Sequence, residues 1–245
     1  MDTKQITSQL IFMRHGEKDQ EGQLTRTGLD QARRAGLAAQ DIGGDVMLFH
    51  SGVGRVRDTI RTMAAHLDLT PDETASYELG SHIVDYVSPN LQYLVDPSQK
   101  GEYFAHWDEI EHTPHAFSER MKHFLAMDEP DPGFAHSARK IAQNIAQMIG
   151  IQVRFANMTD LSHKVQFVNG TQEPVMMSFV YYFLNNFMPE SVDFVDKIGG
   201  SVDYAECFTI TVFHSSPREF EVVFRFRDVE KQVDLDALRA FAYSS

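Results

Sequence analysis

The sequence predicts an α/β fold: a three-layer αβα sandwich with a mostly parallel central sheet and a helical cap insertion, in a single domain over residues 1–245. Three observations carry this. Short apolar runs alternate with amphipathic stretches of helical period, the pattern of strands feeding crossover helices. The chain is long enough to bury a substantial core, and its 42% hydrophobic and 23% charged content is that of a globular protein. Residues 81–133 then break the alternation, with histidines and with prolines at 89, 97, 114, 130 and 132, and read as a helical insertion over one sheet edge.

The first strand is expected at residues 9–13, where Leu10-Ile11-Phe12-Met13 runs into Arg14-His15-Gly16-Glu17. Polar groups delivered at the carboxyl edge of a strand lie where ligands of open α/β sheets bind. Arg14 offers a planar fork of donors for phosphate or carboxylate, His15 an imidazole that titrates or attacks, and Gly16 a backbone that turns closely around a ligand. Residues 17–23 are charged, polar or glycine, hence a loop. Thr25 is a plausible N-cap for a helix whose apolar stripe is Leu29, Ala32, Gly36 and Ala39, ended by Gly43-Gly44.

Residues 45–50 read as a second strand, with Ser51 where an N-cap would stand. The next helix, about 55–67, has Val56, Ile60, Met63, Ala64 and Leu67 as its buried stripe. Arg55 in its first turn is thus near the edge that presents Arg14 and His15, or else is a surface charge. Arg57 and Arg61 belong to a solvated face beside Asp58. After Pro71 a strand-like piece ends near Glu78. Residues 103–110 and 115–127 look helical, the second with Phe117, Met121, Phe124 and Leu125 as its stripe. A further helix spans 137–149, and the alternation Ile151-Gln152-Val153-Arg154-Phe155 is a strand signal leading to Asp160-Leu161-Ser162-His163. Pro174 opens an apolar helix over 175–187. Residues 205–212 and 219–227 form a hairpin, and 235–242 a closing helix.

Composition narrows the function. Net charge is −13, which argues against nucleic acid or an anionic membrane as partner. Residues 1–66 carry nine Lys+Arg against eight Asp+Glu, so this near-neutral, arginine-bearing segment sits in an acidic chain, compatible with a focused anion site or with solubility alone. No run approaches the ~18 to 20 apolar residues of a membrane span, and no secretory leader is recognisable, so a cytoplasmic location is the expectation. The lone cysteine, Cys207, reads as a small residue in a strand rather than a nucleophile. His112 and His115 have a spacing of three, yet no Cys or Asp/Glu cluster completes a ligand set, so no metal is expected.

Arg14-His15-Gly16, Leu24-Thr25-Arg26-Thr27-Gly28-Leu29-Asp30-Gln31-Ala32, Ser51 through Arg55 to Thr59, Glu78 and Leu161-Ser162-His163 together resemble the histidine phosphatase superfamily, also called phosphoglycerate-mutase-like. Val56 departs from the alanine usual there, and Lys164 follows His163 where a glycine, asparagine or aspartate is commoner. The resemblance implies a metal-independent phosphomonoester hydrolase with no cofactor. His15 would be the nucleophile that becomes a phosphohistidine, Arg14, Arg55 and His163 the phosphate ligands, and Glu78 the acid and base, with Asp85 its substitute and Glu17 behind it. The expected partner is a small phosphorylated substrate, and a homo-oligomer is compatible with the sequence. Two other functions are weighed: a non-catalytic phospho-ligand binding module, and a phosphoglycerate-type mutase, whose longer signatures are missing around Glu17 and Glu78.

Overall fold

The computed structural model describes residues 5–39, 42–67, 84–92, 114–127, 129–130, 133–158, 164–188, 193–216 and 219–244. The elements are β1 (Gln5–Arg14), α1 (Arg26–Ala38), β2 (Asp45–His50), α2 (Gly54–Ala64), β3 (Val84–Val87), a 3-10 turn (Pro89–Leu91), α3 (Pro114–Ala126), α4 (Ala138–Met158), β4 (Val165–Thr171), α5 (Glu173–Leu184), α6 (Phe194–Lys197), β5 (Cys207–Ser216), β6 (Glu219–Phe226), β7 (Val229–Gln232) and α7 (Leu235–Ala242).

The sheet order is β3-β2-β4-β1-β5-β6-β7. β3, β2, β4 and β1 run parallel, whereas β5, β6 and β7 pair antiparallel. The sheet is therefore mixed, and the mostly parallel sheet expected from the sequence is corrected. The hairpin at the C-terminal end reverses direction because short turns can join only antiparallel neighbours. β1 is covered on both faces, which is why its apolar run is continuous. Leu10 and Phe12 pack with Ile141, Ile145, Phe179 and Phe241 from α4, α5 and α7, while Ile11 and Met13 pack with Leu48, Ile60 and Met63 on the side of α1 and α2.

Four local expectations change. Residues 151–155 are not a strand: α4 runs through Gly150 to Met158, because Ile149, Gln152, Val153 and Ala156 continue its buried stripe. Gln152 is held against the sheet by a reciprocal amide pair with Asn169 of β4 (2.8 and 3.2 Å). The strand of this region is β4, whose apolar run is broken in sequence by Gln166 and Asn169-Gly170, all buried. Ser51 does not cap α2; Val53 precedes the helix without a side-chain cap, and the Ser51 hydroxyl instead accepts from the buried Gln172 amide at 3.1 Å. Finally, residues 81–133 contribute β3, a four-residue edge strand too short to show a period, to the central sheet. The helix expected at 103–110 and the piece around Glu78 lie outside the described residues.

Candidate active site

The site grows from the end of β1. Arg14 is in register with Thr171 of β4, and the His15 amide donates to the Thr171 carbonyl at 3.1 Å, so the two strand ends are level. β5 is antiparallel and begins at this same edge. The segment before it closes one wall: the Arg14 amide donates to the Glu206 carbonyl (3.0 Å) and the Ala205 amide to the His15 carbonyl (3.2 Å).

The loop after β1 is braced by the start of α1. Thr25 caps that helix by accepting from the Gly28 amide at 3.0 Å, and its hydroxyl donates to Glu17 Oε1 at 2.7 Å. The Glu17 amide donates to Gln31 Oε1 at 2.8 Å. Glu17 is thus tied into the loop at both its amide and its carboxylate. Thr59 of α2 accepts from the Gly16 amide at 3.0 Å. α2 approaches so closely that a Cβ on Gly170 would lie 2.5 Å from Ile60 Cγ2 and 2.8 Å from Val56 Cγ1. The bare Gly170 backbone is what makes room for valine at position 56.

His15 is 5% exposed. Its Nδ1 lies 2.8 Å from the Gly16 carbonyl oxygen, which can only accept, so the proton sits on Nδ1 and the Nε2 lone pair is left to act. Burial lowers its pKa to about 3; the Gly16 bond opposes this, while the charges of Arg55, Arg14 and Lys18 add to it. Lys18 is itself lowered, first by burial and then by Arg55. A neutral imidazole with three cations around it is an arrangement that an anion would stabilise.

Arg14 is buried, stacked over the Tyr204 ring at 4.3 Å. Its Nη1 donates to the Val202 carbonyl and its Nη2 lies 3.5 Å from Glu173 Oε2, while Nε has no hydrogen-bond partner among the described residues. Half-buried Arg55, in the first turn of α2, lies under the loop tip, where a Cβ on Gly22 would come 3.5 Å from its Nη1. Arg57 instead pairs with Asp58 in solvent.

The remaining expected residues are not brought into this picture. Glu78 and His163 lie outside the described residues. The side chain of Asp85 does too, although its backbone pairs with Leu48 in β3. Lys164, bonded to His163, accepts from the Asp45 amide at the start of β2, the edge opposite to Arg14. Six register steps separate Val165 from Thr171, roughly 20 Å. The stretch 151–155, expected to lead as a strand toward His163, is helix.

β4 instead delivers Gln172 and Glu173 to the site. Glu173 is 3% exposed, and sequence reading missed it. Its only signal is an acid placed before Pro174 at the mouth of an apolar helix. Lys18 was likewise read as loop, and its approach to Arg14 and Arg55 is a tertiary result.

Among the described residues there is no group of three or more His, Cys, Asp or Glu that could hold a metal. No helix there is long and apolar enough to cross a membrane. Cys207 stands at the start of β5, and burial pushes its thiol up to about 11, out of the nucleophilic range. The arrangement gathers the charges of Arg14, Arg55 and Lys18 around a neutral imidazole with a free Nε2 lone pair, chemistry suited to an oxyanion.

Residues 10–76 match the family model of the histidine phosphatase superfamily (branch 1). No curated protein matches the chain. Among solved structures, a mycobacterial glucosyl-3-phosphoglycerate phosphatase is similar at 14% identity with a TM-score of 0.55, covering 89% of this chain and 97% of its own. A structure titled mycobacterial hydrolase 2 has 14% identity and a TM-score of 0.55, covering 98% and 97%. A phosphoserine phosphatase from Entamoeba histolytica, in complex with 3-phosphoglyceric acid, has 13% identity and a TM-score of 0.50, covering 87% and 96%. Residues 10–76 thus carry the sequence pattern of the histidine phosphatase superfamily, and the chain shares the fold of these solved structures.

Proposed function

We propose that the protein is a metal-independent phosphomonoester hydrolase that works through a phosphohistidine on His15. The observation that carries the reading is the His15 ring, with Nδ1 tied to the Gly16 carbonyl and three cations around it. Nε2 attacks phosphorus in line, the bond from phosphorus to the leaving oxygen breaks, and that oxygen takes a proton from the acid. Arg14 and Arg55 bind the non-bridging oxygens as charge redistributes. Water then attacks the phosphohistidine, gives its proton to the same acid, and releases phosphate with the imidazole restored. Glu78 is the acid we assign, with Asp85 as its substitute.

Support also comes from the similar folds: the mycobacterial glucosyl-3-phosphoglycerate phosphatase has been solved with inorganic phosphate and with VO3. A small phosphorylated substrate is the corresponding partner here. One observation favours a second reading, a binding module without turnover. β4 brings a glutamine amide, Gln172, beside the His15 strand end, so none of its side-chain atoms can act as the acid.

Hydrolysis of an aryl phosphate between pH 5 and 8, with and without chelator, decides between them. Chelator-resistant turnover that vanishes in His15→Ala supports the hydrolase. Loss in Glu78→Gln that is milder on aryl than on alkyl phosphates supports the acid, and retention there with loss in Asp85→Asn transfers the role. A folded parent that binds phosphate but turns over no phosphoester is the binding module.

A further inference from the structure

Three buried charged groups meet at the mouth of the site from three different elements. Glu173 opens α5, and its Oε2 accepts from Arg120 Nη2 of α3 at 3.0 Å while lying 3.5 Å from Arg14 Nη2. Its Oε1 accepts from the Ser201 hydroxyl. The Ser201 amide in turn donates to the Ser118 hydroxyl of α3 at 3.2 Å. The Arg120 side chain is 6% exposed and that of Glu173 4%. With water excluded, such contacts restrain the guanidinium more firmly than they would at a surface.

Arg14 is therefore held at both ends of its fork, by Val202 on Nη1 and Glu173 on Nη2, with Tyr204 against its face. The atom left over is Nε, buried and without a partner among the described residues. An arginine fixed in this way turns one chosen N–H toward a ligand. A flexible one would chelate through its fork. Nothing in the catalytic chemistry of His15 requires the carboxylate; its contacts are explained by what they do to Arg14.

We propose that Glu173 is a positioning residue: it fixes Arg14 so that Nε–H meets the phosphoryl group, and Arg120 acts on the site only by fixing Glu173. The inference rests on the phosphatase reading above. α3 thereby becomes part of the phosphate clamp without touching phosphate, and its docking is coupled to catalytic competence.

The test is a double-mutant cycle of Glu173→Gln and Arg120→Met in the full chain, read as kcat, KM and the inhibition constant of inorganic phosphate. Reaction of His15 with diethyl pyrocarbonate, mapped by peptide mass, reports whether the end of β1 is intact. Misplacing a clamping group by about 1 Å costs on the order of 100-fold. Glu173→Gln is expected to weaken phosphate inhibition and kcat/KM by about 10- to 100-fold while His15 modification keeps its parental rate. Arg120→Met is expected to lose part of the same amount in the parent and nothing further beside Glu173→Gln. Should Glu173→Gln not fold, Glu173→Asp replaces it in the cycle with a smaller loss in the same direction. Equal losses from Arg120→Met in both backgrounds, or parental phosphate inhibition in the Glu173 variants, overturn the proposal and leave the hydrolase standing. A folded parent that neither turns over phosphoesters nor binds inorganic phosphate removes both.

Discussion

Gly16 and Gly28 meet backbone to backbone: a Cβ on Gly16 would fall 2.5 Å from the Gly28 carbonyl oxygen, and one on Gly28 would fall 2.2 Å from the carbonyl oxygen of Glu17. The obstacles are main-chain atoms, so no rotamer change can relieve them. Helix α1 rests directly on the loop that carries His15, and the Thr25, Gly28 and Gln31 of its first turns are the struts. Gly28→Ala should destabilise the fold by roughly 1–3 kcal/mol through this overpacking. Urea denaturation checks the loss, and a fall in kcat/KM larger than the fall in folded fraction locates the damage in the loop.

The pH dependence follows from the lowered pKa of His15, about 3 against 6.5 in the unfolded chain. Above pH 6.5 the ring is neutral in both states and adds no pH dependence. Between about 6.5 and 3 the unfolded chain binds a proton that the folded one refuses, so stability falls by about 1.4 kcal/mol for each pH unit of acidification. His15→Gln should flatten that part of a stability–pH curve. In activity, the acid limb assigned to His15 should lie near pH 3 and not near 6.5, so any limb seen between pH 5 and 7 belongs to another group.

Gln172 and Lys164 flank the two ends of β4. Gln172 donates to Ser51 at the carboxyl edge, whereas Lys164 sits at the opposite one. Gln172→Ala should lower kcat/KM about tenfold, the equivalent of ~1.4 kcal/mol. Lys164→Ala should stay within about twofold of the parent, as for a substitution far from the chemistry. The reverse order in steady-state kinetics would overturn the placing of Gln172 in the site.

Arg227 holds the wall before β5 from outside. Its guanidinium donates to the carbonyls of Ile198, Gly200 and Ser201 and to both carboxylate oxygens of Glu206 (2.6 and 2.8 Å). That wall supplies Val202 and Tyr204 to Arg14 and Ser201 to Glu173. Arg227→Ala should therefore reduce phosphate affinity about tenfold, ~1.4 kcal/mol, although it touches no ligand. Arg225→Ala, which removes an exposed pair between Arg225 of β6 and Glu230 of β7, serves as the control and should leave affinity unchanged.

The chemistry of residues 10–64 is legible in sequence because it is local. An apolar strand must end where Arg14 begins, Thr25 caps its own helix, and the Val56, Ile60 and Met63 stripe turns Arg55 toward the strand ends. Short-range steric and capping rules decide each of these before any distant contact forms. The tertiary structure alone decided the other half. Residues 151–155 alternate like a strand, but Gln152 finds Asn169 across the sheet and the buried stripe of α4 carries the helix through Gly150. β4 hides behind Gln166 and Asn169, polar residues held in the core by the bond from the Gln166 amide nitrogen to Gln9 and by the pairing of Asn169 with Gln152. Its direction and register, set by pairing with β1 more than 150 residues away, put Gln172 and Glu173 beside Arg14 and put Lys164 at the far edge. No periodicity within a window of the chain encodes that choice, because the energy that makes it lies in hydrogen bonds and side-chain packing between segments that the sequence keeps apart.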